Sequence, residues 1–137
     1  MFYNLQGASP FDASTYLVSS RPFLSSSFAV PISGTTAGSV LKITLPKVSK
    51  FIMVKNETST GGSSAPIRVA FTDAGCRGLT APNYFKIGNG EAISADWAVK
   101  EVYLMGDGAV APTASIVAGL TQADTFNLPD FTAGSGV

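Results

Sequence analysis

Cys76 carries the strongest nucleophile this chain offers, and it is the one cysteine in 137 residues. It sits in Asp73-Ala74-Gly75-Cys76-Arg77-Gly78, a loop pattern that puts the Arg77 cation beside the thiol. A neighbouring cation favours the thiolate. A catalytic cysteine also needs a base to take its proton, and that base is usually histidine. The chain has no histidine at all. This removes a Cys/His pair, a Ser/His/Asp triad and histidine-ligated metal sites. A single cysteine also excludes an intrachain disulfide. The expectation is an inert thiol.

Asp73, Glu91 and Asp96 are loop acids that could meet in space as oxygen ligands for calcium. Their spacing matches no calcium-binding loop, and no Gly-rich phosphate loop ends in Gly-Lys-Ser/Thr. Solvated loop acids are the expectation, with no metal and no cofactor. Paired carboxylates for glycoside hydrolysis would need a cleft that a small sandwich hardly provides. Asn56-Glu57-Thr58 matches the glycosylation triplet. Met1 to Gln6 lacks the basic start and apolar core of a signal peptide, so the triplet is expected to stay unused. Trp97, Tyr84 and Tyr103 could form a flat platform for a sugar. All three lie in or beside apolar strand candidates, which favours core or interface packing. No residue is assigned a catalytic role, and the chain is expected not to be an enzyme.

Charge narrows the partners. Nine basic and nine acidic residues cancel. The four lysines between Lys42 and Lys55 are spread through two strand candidates and their turn, so no basic arm for direct nucleic-acid contact is expected. The last third is acidic, with Glu91, Asp96, Glu101, Asp107, Asp124 and Asp130 against Lys100. Charged residues make up 13% of the chain, about half the usual share. Ser, Thr and Gly fill the deficit. Such a composition suits a secreted or viral surface, or a surface that meets other protein. No apolar run reaches about 18 residues, so no membrane span is expected.

The elements that hold these residues read as strands. Trp97 to Met105 is the longest run without a turn residue. Val99, Glu101, Tyr103 and Met105 share one face; Lys100, Val102 and Leu104 share the other. Both faces carry apolar groups, which predicts a strand inside a sheet with material packed over each side. Eight spans have strand character: 25–32, 40–45, 51–56, 67–72, 84–87, 91–94, 98–105 and 114–120. Gly88-Asn89-Gly90 predicts a hairpin between the fifth and sixth spans. The last two spans, across Gly106-Asp107-Gly108, predict a closing hairpin. Asp73 to Asn83 is expected to be a loop, and no segment has a helical period. Leu41, Ile43, Val69, Phe71, Val102 and Leu104 are expected between two sheets. Pro31 argues that the first strand is an edge or ends there.

Eight short strands joined by turn-rich segments predict an all-β fold, an eight-stranded antiparallel single jelly-roll β-sandwich spanning 25–120. Residues 1–24 are expected to be an extended N-terminal arm: they are rich in aromatics but hold no period. Residues 121–137 are expected to be a C-terminal tail. Phe2, Tyr3, Phe11 and Phe23 in the arm, and Phe126 and Phe131 in the tail, are the interface candidates.

The order of segments carries a resemblance. Phe-Ala-Val-Pro-Ile (28–32), Val-Leu-Lys-Ile-Thr-Leu-Pro (40–46) and Phe-Ile-Met-Val-Lys-Asn (51–56) open it. Ile-Arg-Val-Ala-Phe-Thr (67–72), Asn-Tyr-Phe-Lys-Ile (83–87), Ala-Val-Lys-Glu-Val-Tyr-Leu (98–104) and Ala-Ser-Ile-Val-Ala-Gly-Leu (114–120) follow. In strand order, length and texture this resembles the single jelly-roll penton proteins of large icosahedral double-stranded DNA viruses. The resemblance implies a virion protein forming homopentamers at the fivefold vertices of the capsid. It implies the major capsid protein and other minor capsid proteins as neighbours. No joint between strands is long enough for an inserted spike domain, so any vertex spike would be another protein. The competing expectation is a non-catalytic binding module, either carbohydrate-binding or a trimeric, tumour-necrosis-factor-like jelly roll.

Overall fold

The computed structural model describes residues 21–32, 40–79, 81–132 and 136–137. Phe2, Tyr3 and Phe11 lie outside them. Eight antiparallel strands form two four-stranded sheets packed as a sandwich. They are β1 (Arg21–Ala29), β2 (Leu41–Thr44), β3 (Ser49–Asn56), β4 (Ile67–Ala70), β5 (Phe85–Ile87), β6 (Ala92–Ala95), β7 (Glu101–Gly106) and β8 (Thr113–Leu120). Each expected span holds one strand. β1 starts at Arg21, inside the range expected to be arm, and pairs with β8 from Arg21 onward.

The first sheet runs β1-β8-β3-β6 and the second β2-β7-β4-β5. The pairs β1·β8, β2·β7, β3·β6 and β4·β5 therefore oppose the first half of the chain to the second half in reverse order. The layout is one long antiparallel ribbon, rolled so that successive pairs fall in alternate sheets.

This layout corrects two expectations. Among consecutive strands only β4 and β5 hydrogen-bond to each other. β7 and β8 belong to different sheets, so they form no closing hairpin. Residues 107–112 cross between the sheets instead: the Asp107 amide donates to Pro66 O at 2.9 Å, and Pro112 O accepts from the Val30 amide at 3.0 Å. Gly88-Asn89-Gly90 is likewise a corner between sheets, not a hairpin turn. The Asn89 side chain donates to Ser59 O and Ser63 O and accepts from the Ala65 amide, tying the corner to the 57–66 loop. Gly90 takes φ +77°, a left-handed conformation that glycine tolerates.

The interior follows the alternation of the strands. Ile52 and Val54 of β3, with Ala114, Ile116, Ala118 and Leu120 of β8, meet Ile67, Val69, Val102 and Leu104 across the gap. Leu41 and Ile43 are half-buried beside them on the edge strand β2. Phe71, expected between the sheets, lies past the end of β4 and is half-buried at the rim of the core.

A third correction concerns 73–83. A one-turn helix, α1 (Asp73–Arg77), stands where a loop was expected. Thr72 caps it, its hydroxyl accepting from the Gly75 amide at 3.0 Å. Asp73 and Arg77 pair at 2.8 Å along its face. Gly78, at φ +73°, ends it in a left-handed cap. α1 packs on β4 and β7, where Cys76, Ala70 and Met105 form a small core of their own. The expectation that β7 has apolar material over both faces therefore holds: the sandwich interior lies on one side and the α1 cluster on the other.

β1 is an edge strand, as Pro31 suggested. Its pairing is broken by a bulge between Ser25 and Phe28, with Ser27 at φ 55°. A serine in the left-handed region is uncommon and twists the edge away from further pairing. The Ser27 amide donates to the Ser115 hydroxyl at 3.2 Å.

Candidate interaction surfaces

The outer side of the second sheet is built around Arg68 on β4. Its Nε donates to Asp107 Oδ1 at 2.6 Å, and Nη1 donates to Cys76 O at 3.1 Å and Arg77 O at 3.3 Å. The guanidinium thus satisfies carbonyls at the end of α1, where a cation is favoured. It also lies 4.4 Å from the centre of the Tyr84 ring. Lys86 reaches the other oxygen of Asp107 at 2.8 Å. Burial pushes the Asp107 carboxyl up, but hydrogen bonds from Lys86 and Arg68 outweigh it and hold the group below its usual range.

Cys76 is fully buried under this network. Burial pushes its thiol up to about 12, and the nearby Arg68 and Arg77 charges do not offset that. A thiol at that value is protonated at neutral pH and is a poor nucleophile.

Beside α1 lies an open cleft of about 430 Å³, lined by Lys42, Phe71, Asp73, Glu101, Tyr103 and Phe131 among others. Its charges are paired: Lys42 with Glu101 at 2.5 Å and Lys100 with Asp130 at 2.6 Å. No group of three acids, cysteines or histidines able to hold a metal occurs among the described residues. Asp73, Glu91 and Asp96 are not brought together. Asp73 pairs with Arg77 on α1, and Glu91 accepts from the Gly88 amide at the β5–β6 corner.

The three aromatics that could have made one platform divide between two sets of neighbours. Trp97 stands edge-on to Phe71, ring centres 5.2 Å apart. Tyr84 and Tyr103 pack instead on the Cys76 cluster. The glycosylation triplet is closed off. Asn56 is fully buried, and its Nδ2, the atom a glycan would occupy, donates to Ala65 O at 2.8 Å and Ile87 O at 3.3 Å.

The interface candidates divide by location. Phe23 sits in β1 and packs half-buried on the domain's own core. Phe131 docks edge-on against Phe71 at 6.4 Å. Phe126, in a 3-10 turn at Thr125–Asn127, is 79% exposed. The segment carrying it is held to its own domain. Thr121 and Ala123 bond to Val48, Lys47 pairs with Asp124, and Lys100 donates to Leu128 O at 2.8 Å.

The first sheet presents a different outer surface. Paired residues of antiparallel strands share a face, so the register defines it. Pro22, Gly119 and Phe51 form one row, and Leu24, Val117, Met53 and Ser94 the next. Leu24 is 67% exposed and Phe51 36%. Sequence reasoning did not single out these residues. Their signal was present in Phe51-Ile52-Met53-Val54, where the apolar pattern fails to alternate. A β-strand with apolar groups on both faces needs cover on both. No protein-family model matches the chain, and neither a curated protein nor a solved structure matches it.

Proposed function

We propose that this chain is a structural capsid protein: a single jelly roll that assembles as homopentamers at the fivefold vertices of an icosahedral virus shell. In this role it contacts the surrounding major and minor capsid proteins and performs no catalysis. The observation that carries the proposal is the strand order, β1-β8-β3-β6 over β2-β7-β4-β5. Rolling a four-plus-four antiparallel ribbon into two sheets produces the jelly-roll arrangement of two interlocked Greek keys. Low charge, a net charge of zero and an apolar outer sheet face support a part that is covered by other protein. The segment resemblance supplies the vertex.

The test is the mass of the purified assembly, followed by a density map of intact particles. A pentamer, and this fold seated on the fivefold axes, is the expected result. A trimer would favour the tumour-necrosis-factor-like alternative. A monomer that binds an oligosaccharide would favour a carbohydrate-binding module. Either outcome overturns the vertex assignment.

A further inference from the structure

We propose that residues 124–131 form a releasable lid, latched by the Lys100 ammonium, on the cleft beside Phe71. The inference is independent of the vertex function. It starts from a lysine whose side chain is only 17% exposed. An ammonium has three N–H donors, and away from water each needs an acceptor. Lys100 finds them in Asp130 Oδ1 at 2.6 Å, Leu128 O at 2.8 Å and, more weakly, Thr125 O at 3.5 Å. All three acceptors belong to one short segment. The backbone of Lys100 is fixed independently of that segment. Its carbonyl accepts from the Leu45 amide at 2.8 Å, and it stands between buried Val99 and the start of β7.

The segment has a hinge as well as a latch. Up to Ala123 the backbone itself is bonded to the sandwich. The Thr121 amide donates to Val48 O at 2.8 Å, and Ala123 O accepts from the Val48 amide at 3.0 Å. Thr121 and Ala123 are buried, whereas no residue from Asp124 to Phe131 is. Among the described residues, backbone bonds within 124–131 stay inside the segment: the Asn127 amide donates to Asp124 O and the Leu128 amide to Thr125 O. The segment is held down by the Lys47–Asp124 pair at the hinge, the Lys100 bonds and the edge-on contact of Phe131 with Phe71. Further on, Asn83 Nδ2 donates to Val137 O at 3.2 Å. A segment with no buried side chain and no shared backbone ladder opens locally, ahead of the rest of the fold. Pro129, Asp130 and Phe131 form one wall of the 430 Å³ cleft. Lifting the segment removes that wall and bares the Phe71 ring.

The test uses the full chain. Chymotrypsin can cut after Phe126, which is 79% exposed but held in a 3-10 turn. Lys100→Met keeps the apolar stem of the side chain and removes its charge. It should speed that cut by at least about tenfold, the size expected for losing charge-assisted bonds, while the amides of β7 and β8 stay protected from hydrogen exchange. Lys100→Arg, which keeps the charge, should cut at the wild-type rate. In the wild type, the Asn127 and Leu128 amides should exchange at a rate that urea below the unfolding transition leaves unchanged. An unchanged cut in Lys100→Met, or cuts spread through the strands, overturns the latch, as does a Lys100→Arg rate equal to that of Lys100→Met. If Lys100→Met does not fold, exchange in the wild type decides. Segment amides that exchange only together with those of β7 and β8 show that 124–131 belongs to the cooperative fold, and the lid fails.

Discussion

Arg68 Nε and Asp107 Oδ1 lie 2.6 Å apart, and the same guanidinium bonds the carbonyl of Cys76. One side chain therefore joins β4, the segment after β7 and the end of α1. Asp107 is held below its usual range, so its contribution to stability has a defined sign. The stability is fully present above the unfolded value of about 3.9 and is lost as pH falls through the lowered folded value. Asp107→Asn should cost about 1.5–3 kcal/mol at pH 7. The gap between wild type and variant should begin to narrow below about pH 4 and close only below the lowered folded value. Denaturant unfolding at pH 7, 5 and 3 checks this; a gap between the two proteins that does not narrow in acid would refute it.

Asn56 gives the second prediction. Its amide donates to two carbonyls and its oxygen accepts from the Thr58 amide. Asn56→Ala leaves those groups buried without partners, at about 1–3 kcal/mol for each one left unsatisfied. The folded protein, passed through a secretory pathway, should leave without a glycan. Intact mass before and after glycosidase treatment measures that directly.

The third concerns the ranking of core positions. Leu104 is completely buried between the sheets, whereas Phe71 sits at the rim. Leu104→Ala should cost about 2–5 kcal/mol. Phe71→Ala should cost less than Leu104→Ala, although it removes the larger side chain. Urea midpoints for the two variants decide the order, and a larger loss at Phe71 would mean that it belongs to the interior.

The fourth concerns Cys76. With the thiol buried and raised to about 12, alkylation of the native protein at pH 8 should be far slower than that of the unfolded chain. The native rate should track unfolding. Modification at the same rate with and without denaturant would show an accessible, ionised thiol.

The sequence by itself determined where the strands are. Leu41, Ile43 and Leu45, or Ile67 and Val69, alternate with polar neighbours, and the turn residues between runs bound each strand locally. The lack of histidine and the single cysteine were equally legible, because composition needs no fold to interpret. α1 was missed although Thr72, Asp73, Arg77 and Gly78 are the usual signals of a start and a stop. A helix of five residues is too short to display a period.

Pairing was decided only by the tertiary structure. Gly88-Asn89-Gly90 has the chemistry of a tight turn, but a turn does not choose which sheet receives the next strand. That depends on β6 finding β3, and β8 fitting between β1 and β3, which are far away in the chain. The burial of Asn56 depends in the same way on carbonyls of Ala65 and Ile87 arriving beside it. The outer face of the first sheet exists because register aligns Leu24 with Val117 and Val117 with Met53. Alternation is a property of one strand. A surface is a property of several, and only packing brings them side by side.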